Sequence, residues 1–206
     1  MYAESPAIAS RKPFALPVHC MAMLVFLDFE ASSLSDKSYP VEVGWVWEDG
    51  TEEAHLIRPA PRWTDWDMQA EAIHGISRAE LEEKGEDHAK VAHRMVEALS
   101  GHDLCASAPS WDGKWLSALL RAAEIPRHTI RLRDSDDVIA EAARAILEPH
   151  LPVDRVSAAL ETILTLDDLR EGPPAHRALD DAREEWCKWQ RVMKRAEEIG
   201  KAQTDA

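Results

Sequence analysis

The chain reads as an α/β fold, a mixed sheet flanked by helices, and three features of the sequence predict it. The near-continuous apolar run Met23 to Ala31 (MLVFLDFEA) suits a central strand covered on both faces. Two further strand-like segments flank Asp49-Gly50, a hairpin signal. Beyond about residue 88, helical periodicity alternates with short apolar segments, as in helix–strand–helix units packed on a sheet.

Taken in order, Val41 to Glu48 (VEVGWVWE) and Glu53 to Arg58 are the arms of the hairpin. Pro59 and Pro61 end the second arm, because proline cannot donate to a ladder. A loop with Trp63 and Trp66 leads into a short helix, Met68 to Ile73. Ser77 caps another, with Glu80 three residues on completing a capping box. His88 to Leu99 is expected to be helical, His102 to Ala106 a strand, and Trp111 to Ala123 an amphipathic helix. Thr129 to Arg133 is a candidate strand and Asp136 to Leu147 a helix. Pro173-Pro174 precedes a long terminal helix from about Arg177 to Ile199. The expected organisation is one domain over 21–200, with a flexible arm at 1–20 and a tail at 201–206.

Composition narrows the class. Hydrophobic residues make up 45% of the 206 and charged residues 30%, a globular balance that excludes a disordered chain. No apolar stretch reaches the ~18 residues of a membrane span. The apolar run Phe14 to Leu27 is interrupted by Pro17 and His19 and lacks a clean A-x-A site, so it fits a signal peptide poorly. Cys20, Cys105 and Cys187 are odd in number and lack CxxC spacing, which points to buried thiols and a cytoplasmic location. A formal net charge of −14 excludes the broad basic surface that long duplex DNA requires. Bound divalent metals or a local basic groove remain compatible with a short nucleic acid.

The candidate chemistry lies in three places. Asp28 and Glu30, two apart on a strand, project their carboxylates from one face. Such a pair repels unless a cation lies between, and hard oxygens suit magnesium or manganese. Ser110-Trp111-Asp112 opens a helix, which places an acid in its first turn. His176, Ala178, Asp181 and Ala182 form H-x-A-x-x-D-A at the start of the last helix, with His176 on the entry loop. His176 and Asp180, four apart, would share a face if that helix began earlier.

In this order, the D-x-E pair, the mid-chain helix acid and H-x-A-x-x-D-A resemble the DEDDh 3′–5′ exonucleases, a family that includes RNase T, oligoribonuclease and the proofreading subunit of DNA polymerase III. Asp28 and Glu30, in LDFEASSL, match the first motif, Asp112 the second, and His176 with Asp181 the third. Ala72-Ile73-His74-Gly75-Ile76-Ser77 is similar to the family's I-H-G-I-T stretch. The resemblance covers about Met21 to Arg195. It departs at Ala108-Pro109-Ser110-Trp111-Asp112, where the family usually shows an Asn before a Phe-Asp pair, and at Ser33, where Gly is common. Both departures fall near the expected seat of the 3′-terminal nucleotide.

The resemblance implies a ribonuclease H-like fold and hydrolysis of short single-stranded DNA or RNA from the 3′ end to nucleoside 5′-monophosphates. It implies two Mg²⁺ or Mn²⁺ ions held by Asp28, Glu30, Asp112 and Asp181, with Asp28 bridging and His176 taking the proton of water. Ala31, Ser32, His74 and Trp111 are the implied substrate-binding residues. A nuclease-like module that binds ends or proteins without cutting, and a phosphoesterase acting on dinucleotides or small nucleotide-like molecules, are the alternatives.

Trp45, Trp47, Trp186 and Trp189 read as core or as the interface of a homodimer, whereas Trp63 and Trp66 are candidates for base stacking. Arg127, His128, Arg131 and Arg133 form a basic cluster, read as a solvated strand face or a phosphate track.

Overall fold

The central strand is β1 (Leu24–Ala31), as the apolar run predicts, and Val25, Phe26, Leu27 and Phe29 are buried along it. The computed structural model describes residues 22–167 and 175–204. Cys20, Pro173-Pro174 and the expected arm at 1–20 lie outside the described residues.

β1 pairs antiparallel with β2 (Pro40–Trp47), which pairs antiparallel with β3 (Glu52–Arg58). On the other side it pairs parallel with β5 (Asp103–Ala106), which pairs parallel with β6 (Leu132–Asp134). The two-residue β4 (Glu86–Asp87), not expected from the sequence, lies parallel on β3. The sheet order is β4-β3-β2-β1-β5-β6. This mixed sheet flanked by helices is ribonuclease H-like.

Strand alternation sorts β1 onto two cores. Val25, Leu27 and Phe29 pack in one cluster with α3 (His88–Leu99) and α4 (Pro109–Ala122). Phe26 packs on the opposite face with Cys105, α5 (Ser135–Leu147), α6 (Val153–Asp167) and α7 (Ala178–Thr204). Asp28 and Glu30 share the register of Phe26 and therefore face α7. The short helices α1 (Met68–His74) and α2 (Arg78–Lys84) border a third small core of Tyr39, Val41, Ile76 and Leu81.

Several elements differ from expectation. Pro109 starts α4 two residues early, because proline suits the first helical position. Thr129 is held in a turn by Pro126, whose carbonyl accepts from the Thr129 amide and hydroxyl, so β6 begins only at Leu132. The last helix continues past Ile199 to Thr204. α6 was not expected at all; it is joined to α7 by buried Asp167, which accepts from Arg191 at 2.9 and 2.8 Å and from Arg195 at 3.3 Å. Ser77 caps α2 by accepting from the Glu80 amide, but Glu80 pairs with Lys84.

The tryptophans named as core or interface pack within the chain. Trp45 is fully buried and meets Trp47 edge-on at 5.9 Å, while Trp189 lies 6.0 Å from Phe26 and Trp186 borders the same core. Cys105 is buried and Cys187 half-buried, both as free thiols. Among the described residues, no helix is long and apolar enough to cross a membrane.

Candidate active site

β5 ends at Ala106, whereas β1 runs on through Asp28 and Glu30 to Ala31. This leaves the last residues of β1 with a partner on the β2 side only. α4 begins at this gap, and its Asp112 reaches β1 from the β5 side. On the other face α7 begins over the same strand, with Asp181 in its first turn and His176 two residues before it.

The start of α7 is seated on β2. Gly44, opposite Asp28 in the register, meets α7 backbone so closely that an added Cβ would lie 2.4 Å from the Leu179 nitrogen and 2.7 Å from the Ala178 carbonyl carbon. Glu42, opposite Glu30, is 4% exposed and accepts from Arg177 Nε (3.0 Å), Arg177 Nη2 (2.5 Å) and the Ala178 amide (3.0 Å). His176, just before this clamp, takes a left-handed backbone (φ 52°), which is uncommon outside glycine and costs energy unless its surroundings hold it.

The five residues of the predicted site come together. One ligand atom each of Glu30, His176 and Asp181 all lie within 4.8 Å of one another. Burial, then the charges of Asp112, Glu30, Asp181 and Glu185, push the Asp28 carboxyl well above the ordinary range. Burial and the charges of Asp181 and Glu42 push Glu30 up to about 8, with Arg177 opposing them. Burial raises Asp112 to about 7 against the pull of nearby backbone amides, including that of Phe29. Asp112 is 1% exposed, and its Oδ2 has no hydrogen-bond partner among the described residues. Carboxylates crowded this way favour a divalent cation, which would lower every one of these values and could satisfy the orphaned oxygen. The donor set, four acids and an imidazole, suits Mg²⁺ or Mn²⁺. Asp180, the other acid considered with His176, is exposed and pairs with Arg183.

The four residues expected at the substrate end are placed unequally. Trp111 is 37% exposed beside Asp112, tilted 30° against Trp115 at 5.6 Å, with Lys114 Nζ 4.8 Å from its ring centroid. Ala31 is buried. Ser32 is fully buried, and its amide, carbonyl and hydroxyl bond to Tyr39 and Asp67. His74 is buried, and its Nδ1 accepts from the Ile76 amide, so the proton of the neutral ring sits on Nε2. Desolvation lowers its pKa. Ser33, where the family motif favours Gly, donates to Asp65 and accepts from the Ser35 amide, which ties down the loop after β1.

Two further residues belong to the site and were not singled out from the sequence. Glu185 acts on Asp28 and accepts from Ser135 Oγ at 2.7 Å; its signal was its place one turn after Asp181. Glu42 carried no signal of its own, because a glutamate in VEVGWVWE reads equally well as facing water. Trp63 stacks on Tyr39 at 5.1 Å, and Trp66 donates to Glu71 at 2.7 Å and meets His74 edge-on at 6.4 Å.

No protein-family model and no curated protein matches this chain. Among solved structures it is similar to exonuclease I. E. coli exonuclease I in complex with a dA16 oligonucleotide aligns over 88% of this chain and 43% of its own, with TM-score 0.62 and 18% identity. The zinc-bound form of an E. coli exonuclease I complex with single-stranded DNA aligns over 84% and 41%, with TM-score 0.61 and 19% identity. Exonuclease I from Methylocaldum szegediense gives 84% and 40%, TM-score 0.58 and 19% identity. The chain thus spans about two-fifths of the length of these proteins, and what it shares with them is the fold.

Proposed function

We propose that the chain is a DEDDh-type, divalent-metal-dependent nuclease that removes nucleotides from the 3′ end of short single-stranded DNA or RNA and releases nucleoside 5′-monophosphates. The observation that carries this reading is the meeting of Asp28, Glu30, Asp112, His176 and Asp181, from three separate stretches of chain, in one crowded acidic cluster. A fold shared with a protein that holds single-stranded DNA supports the choice of substrate. Free thiols at Cys105 and Cys187 suit a reducing compartment, the cytoplasm.

Asp28, Glu30, Asp112 and Asp181 would hold two Mg²⁺ or Mn²⁺ ions. When bound, such ions make water a better nucleophile and stabilise charge on the departing oxygen. His176 accepts the proton of the attacking water on a ring nitrogen. The water oxygen bonds to phosphorus as the bond to the 3′-oxygen breaks; that oxygen takes up a proton, and the released nucleotide keeps the phosphate on its 5′-oxygen. Trp111 offers a ring face to the terminal base. Ala31, Ser32 and His74 would complete the seat of that nucleotide, and the bonds of Ser32 to Tyr39 and Asp67 hold its loop in place.

The test uses end-labelled DNA and RNA strands with Mg²⁺ or Mn²⁺. Turnover should cease with EDTA and in Asp28→Asn, should spare circular strands, and should release mononucleotide 5′-phosphates. His176→Ala should lower turnover by roughly 10²–10⁴-fold with little change in melting temperature. Full activity in EDTA, or a destabilised but fully active His176→Ala, overturns the scheme.

A further inference from the structure

α4 turns Asp112 toward β1, and its other flank borders a second feature. There Gly113 and the loop over 127–132 enclose an open pocket of about 330 Å³ whose polar lining includes Arg127, His128 and Arg131. No acid lines it, although the chain carries 38 acids against 24 bases. Arg127 donates through Nε to His128 Nε2 at 2.9 Å, which orients the guanidinium and engages no carboxylate. Arg131 is exposed and has no acid partner among the described residues. The fourth member of the basic cluster behaves differently: Arg133 pairs with Asp103 at 2.9 Å and with Glu141 at 2.5 Å. At Gly113 an added Cβ would meet nothing within 4 Å, so the helix flank beside Asp112 is bare and open to an incoming group.

Two guanidiniums and an imidazole around an acid-free pocket form a site for an anion. Planar guanidinium forks match phosphate oxygens, and a histidine held by Arg127 keeps that fork in place. The pocket's Gly113 is the residue after Asp112 on α4, which puts the pocket one helix flank from the carboxylates. We infer that this pocket is a phosphate subsite, holding the backbone of a single strand on the 5′ side of the residue being removed. The inference rests on the proposed function for the direction of the strand, and it extends that function by naming where length is sensed.

The subsite predicts that a dodecanucleotide engages the pocket and a dinucleotide does not. In Arg127→Ala/Arg131→Ala, KM for the dodecanucleotide should rise about tenfold or more, since charged hydrogen bonds are lost. The dependence of log kcat/KM on log salt should flatten by about 1.4, roughly 0.7 for each phosphate released from contact. Turnover of the dinucleotide, and the melting temperature, should not change, because both arginines are exposed and hold no acid. Arg127→Lys/Arg131→Lys should restore most of the salt slope. Equal losses on both substrates, or an unchanged slope, overturn the subsite. Anisotropy titration of the labelled dodecanucleotide in EDTA reads the pocket without turnover. Weaker binding by the double alanine variant supports the subsite even if the wild type cuts nothing, in which case it is the nuclease reading that fails. Equal binding by wild type and variant overturns the subsite even if the wild type is an active nuclease.

Discussion

Glu42 and Glu30 face each other across β1 and β2, an arrangement in which like charges ordinarily weaken a sheet. Arg177 resolves the conflict by a two-pronged bond to Glu42, and the Ala178 amide adds a third. The same three bonds fix the residue after His176 and so hold its left-handed backbone. Under the proposed function, Glu42 would act through position, without touching the reacting groups. Glu42→Ala should cost about 1–3 kcal/mol, less than the loss of a fully buried pair because Arg177 can turn to solvent. It should also lower kcat more than KM, because His176 and Asp181 lose their seat. Glu42→Gln keeps acceptor oxygen and shape, and should recover most of the stability and part of kcat. Equal kcat in the alanine variant, measured per folded molecule, would remove Glu42 from the account.

At the scale of elements, the site depends on how closely α7 approaches β2. Gly44→Ala would bring a methyl group to within 2.4 Å of α7 backbone, which cannot rotate aside as a side chain can. Overpacking of this kind costs about 1–3 kcal/mol, and the helix start should shift with it. The expected outcome is a lower melting temperature together with a large loss of turnover, whereas Gly113→Ala, where an added Cβ meets nothing, should not lower the melting temperature. The contrast also shows what a sequence discloses. Asp28 and Glu30 were legible because alternation fixes two carboxylates on one face, whatever covers them. Asp112 and His176 with Asp181 were legible as helix starts in a family order. Glu42 and Gly44 were not, because VEVGWVWE reads equally well with its glutamate in water; only the return of a helix joined 136 residues later buries it. α6 was hidden for another reason. Pro149 and Pro152 look like loop, and Val153, Val156, Thr162, Ile163 and Thr165 lower helix propensity. Burial of Val156, Leu160 and Ile163 against α5 and α7 outweighs both.

For the molecule as a whole, the acidic cluster makes folding and metal binding compete through pH. Glu30 rises from an ordinary 4.5 to about 8 and Asp112 from 3.8 to about 7, each by burial first, and Asp28 rises as well. Between about pH 4 and 8 the folded protein thus holds protons that the unfolded chain has released. Where the folded state binds more protons, stability falls as pH rises. In EDTA the melting temperature should therefore be highest near the acid end of that window and decline through it, levelling off above about pH 8. A divalent cation reverses the balance by favouring the ionised carboxylates, so Mg²⁺ or Mn²⁺ should raise the melting temperature most at pH 8 and little at pH 5. Glu30→Gln removes one of the crowded charges. Without metal it should flatten the decline and melt several degrees above the wild type at pH 8, since each kcal/mol moves a domain of this size by roughly 2–4 °C. The same variant should lose much of the metal-induced rise, because a ligand is gone. Greater stability without metal and weaker stabilisation with it, in one substitution, is the mark of a site built to hold charge for a cation. A Glu30→Gln protein that tracks the wild type in both conditions would show that these acids are ionised and solvated at no cost to the fold.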